Sequence, residues 1–145
     1  MNSLSRGAAA GLVGTAVMTG FQRFVEMPLT GRSDSFAPAE LAERLLPWKP
    51  KSDTGRTRLN YVMHFALGTG WGATRAALSR TGLTGQPAVA ATFAVMYPID
   101  VVTATLLGVY RPKEWTAKET AIDVVDKLVQ AQATGVVYDR LARSV

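Results

Sequence analysis

The strongest constraint on this chain is the stretch from Thr81 to Tyr110, thirty residues that carry a single charge, Asp100. A helix of about 20 apolar residues crosses a hydrocarbon core roughly 30 Å thick, so the stretch is long enough to span one. Three further segments share its character: Gly7 to about Phe24, Leu59 to about Leu78 with Arg75 its only charge, and an amphipathic one from about Ala117 to Leu141. The first two hold only 16 uncharged residues each, Gly7–Gln22 and Leu59–Thr74. At about 1.5 Å per residue that is about 24 Å, so they span only if Arg6, Arg23 and Arg75 extend their charged heads to the interface. No small-x-small cleavage site stands before a clearly soluble remainder, so the first segment reads as a retained membrane helix rather than a cleaved signal.

The whole-chain averages agree only weakly, with 19% charged residues and a mean hydropathy of +0.10, because they mix these segments with a polar stretch from 26 to 58. That stretch holds Pro28, Pro38, Pro47 and Pro50. Within it, residues 38–46 form an amphipathic pattern that starts at Pro38 and ends before Trp48, as in a short helix lying on a membrane surface. The length of 145 residues suits one domain, 1–145. The expected fold is all-α: a polytopic helical membrane protein of about four helices, arranged as two helical hairpins, with the short amphipathic helix in its first loop.

The fourth segment opens on Thr116-Ala-Lys-Glu119, the pattern of a capping box. Its polar residues Glu119, Asp123, Asp126, Lys127, Gln130 and Thr134 recur at helical spacing, opposite Ile122, Val125, Val129, Ala133 and Val136. In a membrane such a stripe must face protein or water; the carboxylates Asp123 and Asp126 could hold a cation, though a solvated helix face is the simpler reading of the pair.

The absence of cysteine excludes disulfides, thiolate metal sites and thiol nucleophiles. The net charge of +5 is scattered, with neither a basic run nor interleaved aromatics for nucleic acid, so no nucleic-acid partner is expected. No Gly-x-Ser-x-Gly elbow, P-loop or His-Glu-x-x-His occurs; nothing points to an enzyme, to catalytic residues or to a resident metal.

Gly7-x-x-x-Gly11 and Gly68-x-x-x-Gly72, with Gly14 nearby, set small residues one turn apart, the spacing that lets helices approach closely within a chain or between subunits. Asp100 follows Pro98 inside the longest apolar run; Pro98 removes a helical donor to the Ala94 carbonyl and is expected to kink the helix. The carboxylate then either pairs with His64, Arg75 or Lys127 inside the membrane, or caps a new helix that begins after Tyr97. His64 is the only histidine. With Gly68 one turn on, it could ligate a haem or a chlorophyll-type pigment, though a packed, hydrogen-bonded histidine is the simpler reading and no cofactor is expected.

Four spans put the stretches from Arg23 to Arg58 and from Arg111 to Lys118 on one side, with ten Lys and Arg, against five on the side of the termini. The positive-inside rule then places the first loop in the cytoplasm and both termini outside. The run of residues 7–19, then His64 with Gly68 and Gly72, then Met96-Tyr97-Pro98, resembles small uncharacterised bacterial inner-membrane proteins of the YagU type. The resemblance implies a polytopic helical inner-membrane protein and supplies no catalytic residue.

Two functions follow from the sequence. One is an accessory subunit, packing through its Gly/Ala faces in a homo-oligomer or larger membrane complex, with lipid its other partner. The other is a small transporter or ion-relay module using Asp100 and His64 with Arg75, Asp123, Asp126 and Lys127.

Overall fold

The computed structural model describes residues 1–144, and every regular element among them is helical. Helix α1 spans Ser3–Phe21 and runs through a π-helical turn, Gln22–Glu26, into the single turn α2, Met27–Thr30. Gly31, at φ +71°, ends this run in the left-handed region where glycine is cheapest. Helix α3 is Ala37–Leu45, α4 is Asp53–Leu78, α5 is Gly85–Leu106 and α6 is Ala117–Arg143. Side chains of Asn2, Ser52 and Thr116 cap α1, α4 and α6, accepting from the amide three residues on. The α6 cap is reciprocal: the Thr116 amide donates to Glu119 Oε2 at 2.7 Å while the Glu119 amide donates to Thr116 Oγ1 at 3.2 Å.

The four long helices run up, down, up and down. Contacts tie Ser3, Ser79 and Tyr138 together at the end holding the termini, and Gln22, Thr30, Lys118 and Asp126 at the loop end. Helix α1 packs between α4 and α6, and α5 closes the opposite side against the same two helices. The α1 contacts are close because glycines line them. A Cβ on Gly72 would run into the Gly7 carbonyl, one on Gly11 into the carbonyl of Gly68, and one on Gly14 into Thr134. Helix α5 is held by larger side chains, with Val89, Phe93 and Met96 around Trp71 and Ala131.

One local expectation is corrected. Helix α5 runs unbroken from Gly85 to Leu106 with Pro98 inside it, so Asp100 is a mid-helix residue and not a cap. Helix α3 buries its apolar face, Ala39, Leu41 and Ala42, and packs on α4; Asn60 of α4 accepts from the Ala39 amide at 3.0 Å and donates to the Ser35 carbonyl at 3.0 Å. Leu45, Leu46 and Trp48 remain exposed beyond it. Next to this contact, the Glu43 hydrogen bond, backed by the charges of Glu43 and Glu40, raises the Arg56 guanidinium above its ordinary value.

The interior differs from the leucine-, isoleucine- and valine-rich centre of a water-soluble bundle. It holds Ala10, Ala76, Ala88 and Ala131 and the larger Met18, Trp71, Val89, Met96 and Tyr138, together with Thr15, Arg75, Thr92, Asp126, Gln130 and Thr134. Among the described residues no isoleucine is buried, and the one buried leucine, Leu41, belongs to α3. The large aliphatic residues point outward: Leu12, Val13 and Val17 on α1; Val95, Ile99, Val102 and Leu106 on α5; Val125, Leu128 and Val136 on α6. One helix, Gly85–Leu106, is long and apolar enough by length and composition to cross a membrane, and only 22% of its most apolar window is buried.

Candidate functional site

The polar stripe of α6 faces inward and meets a partner from another element at nearly every turn. Asp126 Oδ2 accepts from Gln22 Nε2 at 2.7 Å and from Arg32 Nη2 at 3.3 Å. Lys127 Nζ donates to Asp100 Oδ2 at 3.1 Å, and Trp71 Nε1 donates to the same oxygen at 3.1 Å. The Lys127 ammonium also lies 5.7 Å from the centre of the Trp71 ring, within cation–π range. One turn further, Gln130 Nε2 donates to Thr15 Oγ1 at 3.0 Å. At the end holding the termini, Arg75 pairs with Asp139 and stands 4.6 Å over the Tyr138 ring. The Tyr138 hydroxyl donates to Ser79 at 3.0 Å.

At the loop end the π-helical turn brings Gln22 and Glu26 toward the interior. Glu26 is 5% exposed, and Arg32, from the loop that follows α2, reaches its Oε2 at 2.6 Å through Nη2 and at 3.1 Å through Nε. Burial alone pushes the Glu26 carboxyl up, but hydrogen bonds from Arg32 and Thr30 reverse this and hold it below its ordinary value. Burial pulls the Arg32 guanidinium down; its bonds to Glu26, with the charge of Asp126 beyond, more than restore it. Arg32 therefore ties the loop to both α1 and α6.

Two cavities converge on this cluster. The larger, about 640 Å³, opens at the loop end beside the exposed Arg23, Asp34 and Ser35, and reaches inward to Asp123, Asp126 and Lys127. The smaller, about 340 Å³, lies between α4 and α5 and is mostly apolar, with Leu67, Trp71, Met96 and Ile99 in its wall and Asp100 at its inner end. Met18, His64, Tyr110 and Lys127 line both.

Among the described residues several buried polar atoms have no partner within the protein: Asp123 Oδ2, Asp126 Oδ1, Gln130 Oε1, Thr134 Oγ1, Nε and Nη1 of Arg75, and Nε of Arg6. Buried polar groups in folded proteins are nearly always bonded, and each exception asks for an explanation. Four of these six residues stand on one face of α6, at spacings of three and four, so most of the unmet acceptor capacity lies along that helix.

Of the three candidate partners for Asp100, the structure brings Lys127 to it. Arg75 is held by Asp139, and His64 Nε2 is engaged with Thr19 Oγ1 at 3.0 Å. The reading of Asp123 and Asp126 as a solvated helix face is corrected for Asp126, which is 4% exposed. The room expected over Gly68 is filled by Thr15, which a flat macrocycle stacked there would have to displace. Gly7, Gly11, Gly14, Gly68 and Gly72 all lie at contacts inside the chain. Sequence reasoning missed Gln22, Glu26 and Arg32, which sit at the edge of the polar stretch, and Thr15, Trp71 and Asp139, whose partners lie on other helices. Asp139 lies off the polar stripe of α6, so its pairing with Arg75 left no signal in the spacing.

No protein-family model, no curated protein and no solved structure matches this chain.

Proposed function

We propose that this is a polytopic membrane protein, its four long helices crossing as two hairpins, and that it works as a small transport or ion-relay module for a cationic species. Three features support the membrane part: the outward aliphatic residues, the polar interior and the composition of α5. Each arrangement is costly in water and suited to lipid. The single observation that carries the functional part is the charged cluster on the wall of the larger cavity, continued along α6 by polar atoms without protein partners. Along that wall Asp34, Glu40, Glu119, Asp123 and Asp126 stand with Arg23, Arg32 and Lys127, so carboxylates outnumber cations by five to three, and the site favours a positive occupant or protons. With the ten Lys and Arg of the loop side facing the cytoplasm of a bacterial inner membrane, the mouth of the cavity opens there.

The accessory-subunit reading relied on the Gly/Ala faces meeting a partner. Those faces are occupied by the chain's own helices, so a homo-oligomer or larger complex would have to use the outer Leu and Val faces instead.

The test is reconstitution into liposomes with a trapped pH indicator and an imposed membrane potential. Wild-type protein should carry proton or cation current, and Asp100→Asn, purified as a species of wild-type size, should lose it. Undiminished flux in Asp100→Asn would remove Asp100 from the pathway. Extraction of the wild-type chain from membranes by a carbonate wash would overturn the membrane assignment itself.

A further inference from the structure

We propose that the two cavities together form one binding site for an amphiphilic organic ammonium, its N–H donors on Asp123 and Asp126 and its apolar tail in the crevice between α4 and α5. This deepens the transport reading above and rests on it. Asp126 is 4% exposed, one of its carboxylate oxygens is bonded to Gln22 and Arg32, and the other has no partner. Asp123, whose carboxylate also meets the Tyr97 hydroxyl, adds a second unpartnered oxygen, Oδ2, on the same wall. Carboxylate oxygens only accept, so the occupant that completes them must donate, and it must bring positive charge to a site that is already acidic.

The cations nearby are already committed: Arg23 to Asp34, Arg32 to Glu26 and Asp126, and Lys127 to Asp100. Among the described residues no three of Asp, Glu or His converge as a metal site. The acceptors are instead spread along a wall that includes Tyr110 and Trp115, whose rings meet edge to face with centres 5.1 Å apart. Aromatic faces beside carboxylates suit an organic cation. The tail is assigned by the second cavity. Its volume of about 340 Å³ falls within the range of small-ligand pockets, roughly 300–1,000 Å³. Its wall residues Leu67 and Ile99 are 39% and 51% exposed on the outer face of the bundle, so the crevice is open sideways. Lys127, His64 and Tyr110 line both cavities, so the two adjoin at these side chains, where the proposed ligand would pass from one to the other.

The test is calorimetric titration of the full chain in lipid nanodiscs, with protein-free nanodiscs subtracting partition into the bilayer. Decylammonium should bind; propylammonium, which lacks the tail, decyltrimethylammonium, which lacks N–H donors, and decanoate, which lacks the cation, should each bind at least about tenfold more weakly, the affinity equivalent of one charge-assisted hydrogen bond. Asp123→Asn should weaken decylammonium by about the same factor. Gly70→Leu fills the apolar chamber at a position where a Cβ meets only the end of Met96, and should weaken decylammonium while leaving propylammonium unchanged. Should Asp123→Asn fail to fold, the ligand series and Gly70→Leu still decide. Decanoate binding as tightly as decylammonium, or wild-type decylammonium affinity in a folded Asp123→Asn or Gly70→Leu protein, overturns the assignment. Proton current without amine binding would leave the transport reading standing and remove this one; binding without flux would do the reverse.

Discussion

Gly72 and Gly20 are both helical glycines with opposite tolerance of a side chain. A Cβ on Gly72 meets the backbone of Gly7 and Gly11, which cannot move aside without separating α1 from α4, whereas nothing lies within 4 Å of a Cβ on Gly20. Gly72→Ala should therefore lower stability by at least about 1–3 kcal/mol, the usual range for overpacking. Gly20→Ala should raise it by about 0.5–1 kcal/mol, because alanine loses less conformational freedom in a helix. Thermal unfolding of the two variants in detergent reads both, and equal effects would show that the α1–α4 contact is looser than it stands. Glu26 offers a second test. Its folded carboxyl lies below the ordinary value of 4.5, so its ionised form contributes stability above that pH, and the contribution is lost as pH falls through the folded value. The amount by which Glu26→Gln lowers the melting temperature should be full at pH 6 and shrink as pH falls below 4.5; a difference that stays constant would show that Glu26 carries no such linkage.

At the scale of elements, α6 was the most legible. Its capping box and its inward stripe both follow from spacing in the sequence, since three- and four-residue periodicity fixes which side chains share a face. Thr116→Ala should remove the side-chain acceptor and cost about 1 kcal/mol, seen as earlier unfolding by circular dichroism. What spacing does not fix is the partner across the bundle. Asp100 had three candidates of the right charge, and the choice of Lys127 depends on the α5–α6 register, which side-chain packing sets. Glu26 and Arg32 were hidden for a different reason. They lie where the apolar pattern stops, and a π-helical turn, which no periodicity of 3.6 reveals, rotates Glu26 inward. The extra helical turns at the start of α4, from Asp53, were likewise masked by polar residues before Leu59.

For the whole molecule, the outward aliphatic residues let one substitution separate two environments. Val95, at the middle of α5, is 41% exposed. In water Val95→Arg would be close to neutral, whereas near the middle of a bilayer it should cost about 2.5–3.5 kcal/mol and reduce the amount of protein recovered in the membrane fraction. Unchanged membrane yield of that variant would argue that α5 faces something other than lipid. A related asymmetry concerns the order in which the chain is made. Asp100, Arg75 and Arg32 each acquire an ion-pair partner from Lys127, Asp139 and Asp126, all on α6. Until the ribosome has delivered that last helix, these three charges lack those partners, although Arg32 already has Glu26. The closing step of biogenesis is thus also the step that neutralises the interior, and a nascent chain stalled before residue 117 would present unpaired charge to the insertion and quality-control machinery of the cell.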